Sequence, residues 1–171
     1  MTDKPFSRSI AEWFELGRQC FHKPDGLGAV RAFERVVERD PRYRHPDGDN
    51  PYFYLGKINE VEGNVDEAIV LYSRALAVNP HDEESMIGRA SCCTVSGRHQ
   101  EALTDLDRLL QLPEAQRRIP CKVVFFVMAE NHRRLKDWGQ AVYWGQRALD
   151  ADPGNEEFQN LLKEIQAKAS S

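Results

Sequence analysis

Four cysteines and five histidines are the residues of this 171-residue chain with the side chains best suited to binding a transition metal or acting as nucleophiles. They are Cys20, Cys92, Cys93 and Cys121, with His22, His45, His81, His99 and His132. No two cysteines have Cys-x-x-Cys spacing, and the histidines show no ligand spacing. We therefore predict no metal site and no cofactor. We interpret the cysteines, Cys20 and Cys93 in particular, as small apolar residues of the core.

The pairs of adjacent glutamates in the chain also have a structural explanation. Glu83-Glu84 and Glu156-Glu157 fall at the starts of predicted helices, where the helix dipole favours negative charge. No Gly-rich phosphate loop is present, and no catalytic triad can be assembled from matching helix faces. Net charge is −4, and aromatic residues do not interleave with the basic ones. We therefore predict that the chain is not an enzyme and has no nucleic-acid partner.

The distribution of apolar residues suits helices that bury one face. Hydrophobic residues make up 41% of the chain and charged residues 29%. No apolar run approaches the roughly 18 residues needed to span a membrane. The N-terminal residues contain no apolar segment of signal-peptide length. These features predict a cytoplasmic protein without direct membrane insertion.

Three sets of residues, which we call columns, recur along the chain with the same series of spacings. The columns are Ala29, Ala68, Ala102 and Ala141; Gly17, Gly56, Ala90 and Ala129; and Phe33, Tyr72, Leu106 and Gly145. Successive members are 39, 34 and 39 residues apart in every column. Several columns with a common period are typical of a repeat array, and such arrays are usually binding surfaces.

The residues around these columns resemble the tetratricopeptide repeat family. The first two units carry the clearest matches: Trp13, Leu16, Gly17, Ala29, Phe33 and Pro41, then Tyr52, Leu55, Gly56, Ala68, Tyr72, Ala75 and Pro80. The family unit is a helix–turn–helix of about 34 residues. The resemblance implies an all-α fold, a right-handed superhelical solenoid of four units within a single domain of residues 1–171. The units cover about 10–43, 49–82, 83–116 and 122–155, and a capping helix follows at about 155–168.

Local signals place the ends of the helices. We predict helices over 8–22, 26–39, 50–62, 65–78, 83–96, 99–111, 119–135, 138–151 and 155–168. Asn64 before Glu67, and Asp137 before Gln140, have the spacing of an N-cap with its reciprocal side chain. Asp-Pro or Asn-Pro closes three of the second helices, because the residue before proline is driven out of the α region.

The chain departs from the family pattern in several places. Arg89 replaces an apolar residue in the third unit, and Gly145 replaces the aromatic residue of the fourth. These departures predict looser packing of the third and fourth units, or a gap that something else fills. The two 39-residue spacings contain five-residue insertions, around 44–48 and 117–121. Both insertions carry basic residues, and we interpret them either as solvated loops or as a secondary contact rim.

In the tetratricopeptide family, ligands usually bind to the concave surface formed by the first helices. The resemblance therefore implies a candidate partner-binding groove on one stripe of these helices. Its residues are Phe14, Arg18, Phe21, Phe53, Lys57, Ile87, Ser91, Phe126, Glu130 and Arg133. Large apolar residues occupy one slot in all four units, which favours a contact surface. The alternative is that they pack between neighbouring first helices.

Some members of this family bind the C-terminal carboxylate of heat-shock proteins with a clamp of Lys, Asn and Arg residues. The matching slots in this chain hold Phe14, Arg18, Tyr54, Glu84 and Gly88. Only Arg18 has a suitable charge, so we predict that the clamp is absent.

We interpret the chain as a protein–protein interaction module, an adaptor or scaffold that binds a peptide or amphipathic segment of a partner. One alternative is a self-assembling structural protein whose groove accepts a second copy of the chain. Another is a small secretion chaperone or co-chaperone of tetratricopeptide type without the clamp.

Overall fold

The computed structural model describes residues 8–23, 25–113, 115 and 117–170. These residues form nine α-helices and no strand. The helices are α1 (Ile10–Phe21), α2 (Gly26–Arg39), α3 (Pro51–Val61), α4 (Val65–Val78), α5 (Glu83–Val95), α6 (His99–Gln111), α7 (Cys121–Arg134), α8 (Trp138–Ala151) and α9 (Glu156–Ala169). The predicted bounds of α2, α4, α6 and α8 match those observed, and every other bound lies within two residues of its prediction. The all-α fold is confirmed.

The helices form two compact units, residues 1–85 and residues 86–171, which we call the N-terminal and C-terminal units. In the N-terminal unit α1 packs on α2, α2 on α3 and α3 on α4. In the C-terminal unit α6 packs on α7, α7 on α8 and α8 on α9. A single domain spanning the whole chain stays a prediction.

Small residues let the paired helices of the N-terminal unit approach each other closely. A Cβ atom added to Gly17 would lie 2.7 Å from the ring of Phe33, and one added to Gly56 would lie 3.0 Å from the ring of Tyr72. Both rings are completely buried. Glycine is therefore required opposite the buried ring in each of these two repeats, because there is no room for a methyl group against the ring.

The gap left by Gly145 is filled by α9. A Cβ atom at Gly145 would lie 3.2 Å from Leu162 and 3.8 Å from Ile165, both on α9. Leu162 and Ile165 are buried, and the core around Ala129 and Ala141 includes Ile165. The helix predicted to cap the array thus fills space beside Gly145, at the position that an aromatic residue holds in the first two repeats.

The unusual Arg89 of the third repeat is paired with a buried acid. Its guanidinium donates two hydrogen bonds to the Asp105 carboxylate, at 2.7 and 2.6 Å. Asp105 is only 2% exposed, and Arg89 itself is half-buried. Two parallel hydrogen bonds between a guanidinium and a carboxylate satisfy both charges. Arg89 therefore fills the position of the usual apolar residue and does not leave a gap there.

The helix ends follow the sequence signals with one exception. The Asp137 side chain accepts a hydrogen bond from the backbone N–H of Gln140, as predicted. Ser9 and Glu12 form a full capping box that we did not predict. The prediction for Asn64 was wrong, because its side-chain amide donates to Asn59 and Glu62 and makes no cap hydrogen bond. The residues before Pro41, Pro80 and Pro153 leave the α region, as predicted.

We expect Ile165→Ala to lower the free energy of unfolding by about 2–4 kcal/mol, because it opens a cavity beside Gly145 that the helices cannot collapse into. Gln166→Ala, exposed on the same helix, should change it by less than about 0.5 kcal/mol. Urea unfolding followed by circular dichroism measures both values. Equal stability of the two variants would contradict the role assigned to α9.

Candidate partner-binding rows on the first helices

The predicted groove residues fall into two rows, one in each unit. The N-terminal row consists of Phe14, Arg18 and Phe21 on α1 with Phe53 and Lys57 on α3. The C-terminal row consists of Ile87 and Ser91 on α5 with Phe126, Glu130 and Arg133 on α7. Apart from Phe14, every one of these residues is half-buried, so each retains surface that a partner could contact.

Phe14 is not available to a partner. Its side chain is 0% exposed and contacts the rings of Phe33, Tyr43 and Tyr54. The imidazole of His45 stacks on it, with ring centroids 5.2 Å apart and planes inclined by 20°. The prediction that Phe14 lines an exposed groove was therefore wrong, because aromatic residues from α2, from α3 and from the loop between these helices enclose it.

The insertion around 44–48 covers Phe14 and is fixed by polar contacts. Asp47 accepts a hydrogen bond from Arg18 at 2.7 Å and lies 2.7 Å from the imidazole Nδ1 of His45. Tyr54 donates its hydroxyl hydrogen to Asp49 at 2.6 Å, and the Asn79 amide donates to the Gly48 carbonyl. These side-chain contacts make the loop an ordered part of the N-terminal unit. Arg44, Pro46 and Asp47 are exposed, so the interpretation as a solvated loop is not contradicted.

The acid at the centre of this loop is strongly biased towards its charged form. Burial raises the pKa of Asp47, but hydrogen bonds from His45, the Asp49 backbone and Arg18 outweigh it and lower the pKa to about 2. Burial and the Asp49 carboxylate together raise the pKa of Tyr54, which stays neutral and acts as a donor. The positive charge of Arg18 is therefore already matched by Asp47.

The rest of the N-terminal row is an aromatic edge beside one ion pair. Phe21 and Phe53 both pack edge-on against Tyr54, at centroid distances of 5.1 and 4.9 Å. Lys57 lies 3.1 Å from the Glu60 carboxylate, which also accepts the Tyr72 hydroxyl at 2.5 Å. The row thus presents two partly exposed rings next to a compact charged group.

The C-terminal row likewise places a partly exposed aromatic ring near an ion pair. Phe126 stacks on Phe158 of α9, with centroids 5.0 Å apart, and so keeps only part of its surface exposed. Glu130 accepts hydrogen bonds from Arg133 and Arg134, each at 2.7 Å. Burial raises the pKa of Glu130, but the two guanidiniums outweigh it and lower the pKa below its usual value.

A buried polar cluster behind this row was missed by the sequence analysis. Asn131 is completely buried, donates to Thr94 and to the Val127 carbonyl, and lies 3.0 Å from Nδ1 of His99. The cluster joins α5, α6 and α7 within the C-terminal unit. Nothing in the spacing of Thr94, His99 and Asn131 pointed to it, because the three residues lie on three different helices and meet only after these pack.

The described residues contain no group of three or more His, Cys, Asp or Glu side chains that could hold a metal ion. All four cysteines are free, with Cys92 and Cys93 buried and Cys20 and Cys121 half-buried. Burial raises the pKa of the Cys93 thiol, which makes it a poor nucleophile.

Comparison with known proteins agrees with this architecture. Two family models described as tetratricopeptide repeat match residues 25–75 and 62–117, which together cover more than half of the chain. The chain belongs to the tetratricopeptide repeat family. Its repeat columns are therefore the family columns, and α9 stands where arrays of this family carry a capping helix.

Tetratricopeptide proteins of several kinds are similar to this chain. Hsp70-Hsp90 organizing protein 3 of Arabidopsis thaliana is 31% identical over 91% of this chain and 27% of its own length. The chain spans between 20% and 33% of the length of the curated relatives it matches. MamA of Desulfovibrio magneticus shares the fold, with a TM-score of 0.79, 12% identity and coverage of 94% of this chain and 85% of its own.

A further tetratricopeptide structure was solved with a peptide. The first repeat domain of Spaghetti (RPAP3), bound to the HSP90 peptide SRMEEVD, has a TM-score of 0.63 and 21% identity, covering 70% of this chain and 91% of its own. These structural likenesses establish the fold alone. Separately, none of the helices that the structure describes has the length and apolar character needed to cross a membrane.

We expect Asp47→Asn to destabilise the chain by up to about 1 kcal/mol at pH 7, a small value because the side chain is partly exposed. Because folding lowers the pKa of Asp47, its contribution is present above the pKa of the unfolded chain, about 4, and is lost as the pH falls towards about 2. Urea unfolding of both proteins at several pH values should show their difference shrinking across that window. The exposed Asp107→Asn serves as the control, and a difference that stays constant with pH would contradict the assignment.

Proposed function

We propose that this chain is a non-enzymatic protein–protein interaction module that receives a peptide or amphipathic helical segment of a partner on its first-helix rows. The repeat architecture and the co-chaperone relatives support an adaptor. Repeat arrays bury their core between neighbouring helices and leave the outward faces of those helices for recognition.

The observation that carries the proposal is the partial exposure of aromatic side chains at one repeat slot in both units. Phe53 and Phe126 occupy equivalent positions, and each is partly exposed although its ring packs against a neighbouring ring. Phe21 and Ile87 extend the two rows. Burial of one such side chain by a partner is worth about 1.5–3 kcal/mol before the cost of association.

The charged groups of the rows favour an amphipathic partner over a highly charged one. Arg18, Lys57 and Glu130 each already have an oppositely charged neighbour within 3.1 Å. An isolated charge on the partner would have to compete with these internal pairs. Rim charges of this kind orient a partner and set its rate of association, while the apolar contacts supply the affinity.

The structure gives physical support to the absence of a carboxylate clamp. Of the clamp slots, Phe14, Tyr54 and Gly88 are buried, and Arg18 is bound to Asp47. A peptide carboxylate arriving at Arg18 would meet the Asp47 carboxylate, which is ionised at neutral pH. We therefore propose recognition without the clamp.

We also place the chain in the cytoplasm. The proposal is supported by its four free cysteines, two of them fully buried, which suit a reducing compartment.

We expect Phe53→Ala and Phe126→Ala each to weaken partner binding by about tenfold, because each removes a partly exposed ring worth about 1.4 kcal/mol at an interface. Affinity capture from an extract of the source cells, read by quantitative mass spectrometry, measures the loss. Leu27→Ala removes an apolar side chain that is 73% exposed on α2, outside the rows, and is the matched control.

Thermal melting of all three variants checks that the fold survives. Loss of folding in Phe53→Ala and Phe126→Ala would show that the rings act only in the core. Recovery of the bait protein alone would contradict the adaptor proposal and support self-assembly.

We expect the peptide SRMEEVD to show no saturable binding below about 1 mM, because three clamp slots are buried, Arg18 is paired with Asp47, and the fifth slot holds the acidic Glu84. Fluorescence polarisation with the labelled peptide measures the affinity, and the same peptide with an amidated C-terminus is the control. Micromolar binding that requires the free carboxylate and is abolished by Arg18→Ala would contradict the proposal.

A further inference from the structure

A fourth repeat column consists of arginines on the second helices. Its members are Arg35 on α2, Arg74 on α4, Arg108 on α6 and Arg147 on α8, again 39, 34 and 39 residues apart. The column lies outside the first-helix rows described above. Its four members share a position in the repeat but differ in what surrounds them.

Two of the four arginines lie beside a carboxylate of their own helix, although in one case Arg89 also binds that carboxylate. Arg35 lies 2.8 Å from the Glu38 carboxylate, and Arg108 lies 3.6 Å from that of Asp105. Position in the repeat therefore does not determine whether an arginine is available to bind a ligand. These two residues provide an internal comparison for the other two.

The other two arginines lie over aromatic rings. The Arg147 guanidinium carbon is 4.5 Å from the ring centre of Phe125 and 5.5 Å from that of Trp144, and Arg74 lies 5.9 Å from the ring centre of Tyr52. Among the residues that the structure describes, no carboxylate lies within ion-pair distance of Arg74 or Arg147. Arg147 also donates one hydrogen bond to the Tyr143 hydroxyl, at 2.9 Å. A guanidinium has five N–H donors, so a ring contact and this one bond leave donors for an acidic group.

In the C-terminal unit the stacked arginine forms one wall of a cleft. The cleft has a volume of about 420 Å³. Its lining residues are Leu110, Arg117, Cys121, Phe125, Trp144 and Arg147. The side-chain Nε of Arg117 is buried there and has no hydrogen-bond acceptor within the described part of the chain. A buried, unmatched guanidinium N–H is costly, and an anion in the cleft would remove that cost.

The N-terminal unit contains a cleft of the same design. It has a volume of about 390 Å³ and is lined by Pro41, Arg42, Tyr52, Arg74, Ala77 and Val78. In both units the aromatic residue precedes the stacked arginine by 22 positions, as Tyr52 to Arg74 and as Phe125 to Arg147. In both, the segment between one repeat and the next supplies the second arginine, Arg42 or Arg117. Each unit thus combines two guanidiniums with an aromatic and apolar wall.

We propose that these two clefts are equivalent binding sites for acidic side chains of a partner protein, each taking a Glu or Asp carboxylate together with an adjacent apolar side chain. Paired guanidiniums match the two oxygens of a carboxylate, and the aromatic wall matches its apolar neighbour. The clefts are at the lower end of the size range of ligand pockets, which suits one or two side chains. The net charge of −4 disfavours binding of an extended nucleic-acid backbone. It is compatible with a short protein segment that inserts its side chains into one cleft.

The proposal is tested by NMR titration of the full chain with a short peptide, blocked at both ends, in which Glu alternates with Leu and Phe. Two peptides should bind per chain, with saturable shifts of the arginine Nε–H signals of Arg74 and Arg147 and of the Trp144 indole. The counterpart peptide with Gln at every Glu should not bind. Arg74→Gln and Arg147→Gln should each weaken their own site at least tenfold.

Arg35→Gln and Arg108→Gln are the matched controls and should change the affinity less than twofold. Leu27→Ala, outside both the rows and the clefts, should leave peptide binding unchanged. The rows are tested separately by affinity capture with Phe53→Ala, so failure of the row proposal and failure of this one are distinguishable. The proposal is overturned if all four arginine variants weaken binding alike, if the Gln peptide binds equally well, or if no saturable shift occurs below about 1 mM. It is also overturned if a short oligothymidylate shifts the same signals at lower concentration than the peptide.

Discussion

The close approach of paired helices at a glycine is the contact on which the rest of the N-terminal unit depends. Gly17 lies against the buried ring of Phe33, and Gly56 against that of Tyr72. Because these rings sit directly on the partner helix backbone, they set the spacing of each pair. The row residues of α1 and α3 lie on the stripe next to the one that makes this contact. In the C-terminal unit Gly145 stands at the position of these rings, and Leu162 and Ile165 of α9 fill the space beside it.

Polar residues in this protein mainly satisfy one another. Arg89 and Asp105 form a two-bond ion pair, Asn131 ties together three helices, and Asp47 anchors its loop to Arg18. A buried or half-buried charge with an internal partner has little to offer a ligand, because the ligand must first replace that partner. The apolar edges of the rows, and the arginines stacked on rings, are therefore the groups best placed for recognition.

The two insertions between repeats change the surface that the repeats expose. The loop around 44–48 places His45 on Phe14 and so removes one apolar position from the predicted groove. The second insertion brings Arg117 to the cleft beside Arg147. In both cases added residues between repeats alter a surface without altering the helix pairs. Loops joining rigid elements tolerate such additions because they disturb few core contacts.

The sequence by itself determined the helices, the repeat and the family. Its periodic columns reflect local requirements, such as a small residue against a ring or a proline after a helix, and these can be read from spacing. The tertiary structure decided which side chains are exposed. Phe14 and Phe53 share one slot, yet only Phe14 is enclosed, because a loop distant in sequence folds over it. The arginine column was readable from its spacing, but only the structure separates Arg35 and Arg108 from Arg74 and Arg147. That difference depends on neighbours that packing brings together.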